Sequence, residues 1–204
     1  MISIGDPDLR FREDPVRILR LIKFMRRLGL DAGRDEIAAA REHAGMLVEA
    51  ASPRLVEELF RLMLTGDMVG CFTDLLALGV VPLLAPDIAD WLERSPDNEQ
   101  RLLAMFDALD RWVQEGGEPG YGFRLACLYG PMVEDELDPD QRTVPVKEVP
   151  QVPAFLLSRL QQHARLPRAA IGRAIHIMLA QELMDPEREA LRGRRRRRRK
   201  AASE

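Results

Sequence analysis

The chain has 204 residues, 46% of them hydrophobic and 31% charged, a balance that suits one sizeable core or two small ones and excludes wholesale disorder. Aromatic residues make up only 5%, while Leu, Ala, Arg and Glu dominate, so helices are favoured over strands and the predicted fold is all-α, a helical bundle. The formal net charge of -3 conceals a division: residues 192–204 hold eight of the 30 basic residues and one of the 33 acidic ones, leaving about +7 in the tail and about -10 elsewhere. An acidic body of this kind excludes broad nonspecific coating by nucleic acid, and any polyanion contact must be local.

In chain order, Asp14-Pro15 reads as a helix start, because Asp accepts from first-turn amides and Pro gives up only an amide that would be unpaired there. The helix is predicted to run from Pro15 to Leu28 and to end at Gly29. At 100° per residue Ile18, Leu19, Leu21, Ile22, Met25 and Leu28 form one apolar face, and Arg17, Arg20, Lys23 and Arg27 group on another. A second helix is predicted over Asp35 to Glu42. Ser52-Pro53 repeats the cap-plus-proline signal and opens a third, to Leu64, closed by Gly66. A fourth covers Asp67 to Leu78, Gly79 to Pro86 forms a buried turn, and a short helix follows over Asp87 to Arg94.

Asn98 to Gln114 carries Leu102, Leu103, Phe106, Leu109 and Val113 at helical spacing, and Tyr121 to Tyr129 is also predicted helical. Residues 131–153, with five prolines, read as a break that cannot continue a helix. Helices over Ala154 to His163 and Pro167 to Met184 then lead into the arginine run. The predicted organisation is a unit over 1–66, a helical body over 67–191 and a disordered basic tail over 192–204, with short connections and no internal repeat.

Cys71 and Cys127 stand far apart with no second thiol or histidine at ligand spacing, so neither a zinc site nor a disulfide framework is indicated. Both are expected to be buried and reduced in a cytoplasmic protein. The first residues lack the regions of a signal peptide, and the longest apolar run, Leu75 to Ala85, is broken by Gly79 and Pro82, so no membrane partner is expected.

The chemistry concentrates in Glu13-Asp14-Pro15-Val16-Arg17, where an acceptor carboxylate and a forked donor sit about one helical turn apart. Asp14 can accept from an exocyclic amine while Arg17 donates to a ring nitrogen or carbonyl, which is enough to read the edge of a nucleobase. Arg20 lies one turn further along the same face, within reach of a triphosphate. Spacing alone favours the plainer reading, in which Asp14 caps a helix and Arg17 is a solvated charge.

An ordered string extends well beyond that pair: Gly5-Asp6-Pro7, Arg10-Phe11-Arg12-Glu13-Asp14-Pro15-Val16-Arg17-Ile18-Leu19-Arg20, Phe24 and Leu28-Gly29. It resembles the segment that follows the catalytic head in bacterial poly(A) polymerases and CCA-adding tRNA nucleotidyltransferases. More weakly, Ser52-Pro53-Arg54-Leu55-Val56-Glu57-Glu58-Leu59 is similar to the family's next helix and Leu78 to Pro86 to its leucine-rich turn. The resemblance implies a neck over 1–66 and a body over 67–191, with Asp14 and Arg17 as base readers and Arg20 as the phosphate contact. Lys23 departs from the family's usual arginine before Phe24, keeping the charge and losing the planar fork.

The family's reaction, template-independent transfer of a nucleotide from a triphosphate to an RNA 3′ end, uses Mg²⁺ held by paired carboxylates on a strand. No Gly-Ser turn with such a pair occurs in this sequence, so the resemblance implies ATP and Mg²⁺ for the full-length family and no catalytic or metal residue in this chain. Asp6-Pro7-Asp8 and Asp138-Pro139-Asp140 have suitable residues, but both are proline-centred and predicted to lie in turns. The implied partners are RNA, weakly bound ATP, and a catalytic head or RNA-processing protein. A stand-alone RNA-binding or protein-interaction module is the competing expectation.

Arg192, Arg194, Arg195, Arg196, Arg197, Arg198, Arg199 and Lys200 make a polycation whose affinity for phosphate comes from counterion release, and RNA is its expected ligand. Docking on the acidic body is the alternative. His43, His163 and His176 have no partner at catalytic spacing and read as surface or core residues. Tyr121, Phe123 and Arg124 carry stacking chemistry but, at helical spacing, read first as core and rim, and Trp91 and Trp112 are expected to anchor the bundle.

Overall fold

The computed structural model describes residues 5–50, 52–136 and 168–184, and among these there is no strand: the fold is all-α. In chain order the helices are α1 (Pro7–Glu13), α2 (Arg17–Leu28), α3 (Arg34–His43), α4 (Ser52–Leu62), α5 (Met68–Ala77), α6 (Val81–Leu84), α7 (Pro86–Arg94), α8 (Pro96–Gln114), α9 (Tyr121–Glu136) and α10 (Arg168–Met184), with a 3₁₀ segment over Ala44–Glu49. The predicted helix over 154–163 and the basic tail lie outside the described residues.

The chain begins differently from the expectation that Asp14-Pro15 opens the first helix. Asp6-Pro7 opens it instead: the Asp6 carboxylate accepts the Asp8 amide at 3.1 Å and Pro7 occupies the first turn. Asp14 then closes α1 in an extended conformation, φ -147 and ψ 91, as the residue before a proline prefers. Pro15 cannot continue the ladder, and α2 starts two residues later from Val16 without a side-chain cap. Two identical Asp-Pro pairs, eight residues apart, therefore start one helix and end it.

On α2 the expected apolar face is present through Ile18, Leu19, Leu21 and Ile22, all buried, with Met25 packed at the margin. Leu28, expected on that face, is 58% exposed. Gly29 ends the helix in the left-handed region, φ 60, and Leu30 donates back to the Met25 carbonyl at 2.9 Å. Leu64, expected in α4, lies beyond its end at Leu62. The stretch expected to be a buried turn over 79–86 contains the short helix α6, and Leu83 on it is exposed.

One contiguous apolar core runs from Phe11 on α1 to Met178 on α10. The α5–α8 contact is aromatic, with Phe72 and Phe106 rings 5.2 Å apart, and the Asp110 carboxylate of α8 receives the Met68 and Val69 amides of α5 at 2.6 and 3.1 Å. Burial raises the Asp110 pKa, and those two amides only partly offset it. Trp91, fully buried on α7, anchors the bundle as expected and donates to Asp135 at 2.8 Å. Trp112 does not share that role: it is 41% exposed and meets Phe123 edge-on, with centroids 4.8 Å apart.

The expected break at 131 is displaced. α9 continues through Pro131 to Glu136, and Arg101 of α8 grips this extension by donating to the Pro131 carbonyl, Glu134 and Asp135 at 3.0, 3.1 and 2.7 Å. Five hydrogen bonds from one guanidinium and Trp91 offset what the missing proline amide costs. α9 packs on α10 at its first turn, where Gly122 is required: a Cβ there would lie 2.6 Å from Arg173 Cβ and 3.1 Å from the Ala170 carbonyl oxygen. Cys71 and Cys127 are buried and free, as expected, and burial pushes both thiols up to about 12.

Candidate nucleotide-reading site

An apolar cavity of about 30 Å³ lined by Met63, Phe72, Leu75, Val81 and Ile88 has room for no more than a water-sized molecule. Away from that cavity, polar side chains converge where α1 turns into α2. The Arg17 amide donates to the Asp14 carbonyl at 3.0 Å and the Ile18 amide to Pro15 at 2.9 Å, so the turn is tight and its side chains are close together.

Asp14 and Arg17 do meet, with Nε 3.8 Å from Oδ2, and Arg17 also lies 3.5 Å from Glu13 and from the Arg10 carbonyl. The Asp14 carboxylate is held from the other side by Arg54 of α4, at 2.9 Å. Arg20 stands one turn on, but its Nε donates to Glu58 of α4 at 3.0 Å, and Lys23 takes the other Glu58 oxygen at 2.6 Å. Arg61 adds a third cation at 3.2 Å. All three sequence-identified residues thus lie at one junction, and each already has an ionic partner within the chain.

Glu58 is only 4% exposed and the Lys23 ammonium side chain 12%, while Arg20 keeps 38% of its side chain in solvent. Burial works to raise the Glu58 pKa, but the hydrogen bonds from Lys23 and Arg20 outweigh it and the net displacement is downward. Glu58 therefore stays ionised and fixes Lys23 in the seam, whereas Arg20 has a free edge toward water. Sequence reasoning did not single out Arg54 or Glu58 as partners. Their pairings span 40 and 38 residues, and no local spacing encodes them.

His43 is buried, in keeping with its reading as a surface or core residue. It has a partner: its Nε2 lies 2.6 Å from Asp8 Oδ1, joining α3 to α1, and that hydrogen bond holds the Asp8 carboxyl below its ordinary value. Asp8, Glu42 and His43 offer ligand atoms all within 4.8 Å of one another, close enough for a divalent cation. Asp6 and Asp8 lie at a helix start and not in an isolated turn. Asp6 accepts a backbone amide, while Asp8 is taken by His43 and by Arg12 at 2.7 Å, so this pair does not fit the two-metal carboxylate arrangement. His176 bonds the Gly172 carbonyl on its own helix, and His163, Asp138-Pro139-Asp140 and the arginine run lie outside the described residues.

With this geometry in view, the relatives are informative. No family model matches the chain. Over 128 residues, 62% of this chain and 28% of the relative, it is 30% identical to poly(A) polymerase I of Haemophilus influenzae. It is 34% identical over 88 residues, 43% of this chain and 22% of the relative, to the CCA-adding enzyme of Levilactobacillus brevis. The chain is thus similar, over part of its length, to both poly(A) polymerases and CCA-adding enzymes. Poly(A) polymerase I of Salmonella typhimurium matches at 28% over 102 residues, half of this chain and 22% of that protein. The chain spans about a quarter of the length of these curated relatives. No helix among the described residues is long and apolar enough to cross a membrane.

Proposed function

We propose that this chain is the nucleotide-reading and RNA-binding portion of an RNA nucleotidyltransferase, with adenosine triphosphate as the nucleotide and an RNA 3′ end as acceptor. The observation that carries this reading is the convergence of Asp14, Arg17 and Arg20 at the α1–α2 junction, inside the string that resembles the family's nucleotide-selecting element. Asp14 accepts from the adenine amine, Arg17 donates to a ring nitrogen, and Arg20 exchanges part of its Glu58 contact for a phosphate. Mg²⁺ would supply charge neutralisation at the triphosphate; the Asp6 and Asp8 pair does not fit the two-metal arrangement, and on this reading the chain by itself is not expected to transfer AMP.

Only one wall of a nucleotide pocket is provided, so ATP binds weakly, in the millimolar range. Titration of ATP by calorimetry against the wild type and Arg17→Ala tests this. Loss of the binding heat in the variant supports the assignment, and identical isotherms remove Arg17 from the nucleotide. Deleting residues 192–204 is expected to lower RNA affinity and to flatten its salt dependence by about 0.7 in logarithmic slope per lost phosphate contact. Unchanged affinity at both low and moderate salt excludes the tail as the RNA ligand.

A second reading has its own observation. Because Asp14, Arg17 and Arg20 are all ion-paired within the chain, they also make sense as structural ties in a non-catalytic RNA-binding or protein-interaction module. RNA binding with no ATP response in either protein, and no tailing activity on addition of a catalytic head, favours that module.

A further inference from the structure

Arg124, in the first turns of α9, is a buried cation. It is 6% exposed, and among the described residues no carboxylate pairs with it. Its Nη1 donates to the Phe60 carbonyl of α4 at 2.7 Å, and its Nε has no hydrogen-bond partner. Two aromatic rings take up the charge: the guanidinium carbon lies 4.4 Å from the Tyr121 centroid and 5.3 Å from that of Phe60. Burial lowers the Arg124 pKa, the expected response of a cation that has lost water without gaining an anion.

Above this buried charge sits an open ring. Tyr121 is 46% exposed, although its ring is fixed edge-on against Phe60, with centroids 5.1 Å apart and planes at 74°. An exposed tyrosine on a mobile side chain would be unremarked. This one packs against an aromatic ring and a guanidinium and still keeps nearly half of its surface open to solvent beside a buried positive charge. Such a surface suits a ligand that is planar, aromatic and anionic, and a nucleotide of single-stranded RNA combines all three.

Resting on the RNA-binding reading above, we propose that Tyr121 is a base-stacking platform for one nucleotide of single-stranded RNA, backed by the Arg124 guanidinium. Charge complementarity selects this occupant over an apolar peptide, which would gain nothing from a buried cation beside the ring. Stacking is tolerant of base identity, so the platform adds affinity with little sequence preference. It is also separate from the α1–α2 junction: Phe60 and Glu58 lie two residues apart on α4 and therefore face different neighbours, α9 in one case and α2 in the other.

The test is fluorescence anisotropy of a labelled single-stranded RNA against the full chain, comparing wild type, Tyr121→Phe and Tyr121→Leu over a range of salt. Tyr121→Leu is expected to weaken binding by about fivefold to a hundredfold, and Tyr121→Phe by less than about twofold. The logarithmic salt slope stays the same in both, because no phosphate contact is removed. Wild-type affinity in Tyr121→Leu overturns the platform and leaves the RNA-binding reading intact, whereas absence of RNA binding by the wild type overturns both. Should Tyr121→Leu not fold, photocrosslinking of a 4-thiouridine RNA to the wild type decides the matter: crosslinks at Tyr121 support the platform, and crosslinks confined to the arginine run overturn it.

Discussion

The seam between α2 and α4 and the seam between α5 and α8 solve the same packing problem with opposite chemistry. In the first, Glu58 gathers Arg20, Lys23 and Arg61 around one buried carboxylate. In the second, Phe72 meets Phe106, and the carboxylate of Asp110 answers backbone amides, with no cation paired to it among the described residues. The difference teaches where ligand binding has been left room. A charged seam with one half-exposed arginine can trade an internal contact for an external phosphate, but an aromatic seam has nothing to trade.

Replacing Phe106 by Ala should break the second seam most severely, costing about 3–5 kcal/mol because a fully buried ring leaves a cavity. Urea denaturation measures it, and a cost below about 1 kcal/mol would mean that this contact does not hold α5 to α8. Glu58→Ala comes next, at about 2–3 kcal/mol, since it strands the nearly buried Lys23 ammonium without its partner.

The pH response separates the seams by sign. Glu58 has a lowered pKa in the folded state, so its contribution is fully present above the ordinary glutamate value and is lost as pH falls through the folded value. Asp110 has a raised pKa, so its site favours the protonated form, and its contribution declines as pH rises through the ordinary aspartate value toward the folded one. Denaturation curves across the acidic range should therefore steepen for Asp110→Asn and flatten for Glu58→Gln. Matching curves would show that the two carboxylates are not opposed.

Smallest is Arg54→Ala. Its pair with Asp14 is half in solvent and contributes less than about 1 kcal/mol, so thermal stability should barely move while Asp14 loses one of its two tethers.

The helical class and most helix positions were legible because periodicity and Asp-Pro, Ser-Pro and Gly punctuation are local signals. The candidate residues were legible as an ordered string. Their setting was not: Asp14-Pro15 looks like a helix start by the same rule that correctly describes Asp6-Pro7, and only the helix already running into Asp14 distinguishes them. Pro131 likewise reads as a stop, because the Arg101 grip that carries α9 past it comes from 30 residues away. His43 and Arg124 were read as ordinary residues, since the groups that define them, Asp8 and the Phe60 carbonyl, are 35 and 64 positions distant.

Gly122 has a consequence for how the molecule tolerates change. The atoms facing it are backbone and a Cβ, which no rotamer adjustment can move aside, so even one added methyl must displace α10 as a body. What that displacement uncovers is a sticky strip containing Ala174 and Met178, otherwise shut away from water. A substitution at this position would thus announce itself first as aggregation and poor yield, long before any change in what the rest of the chain binds.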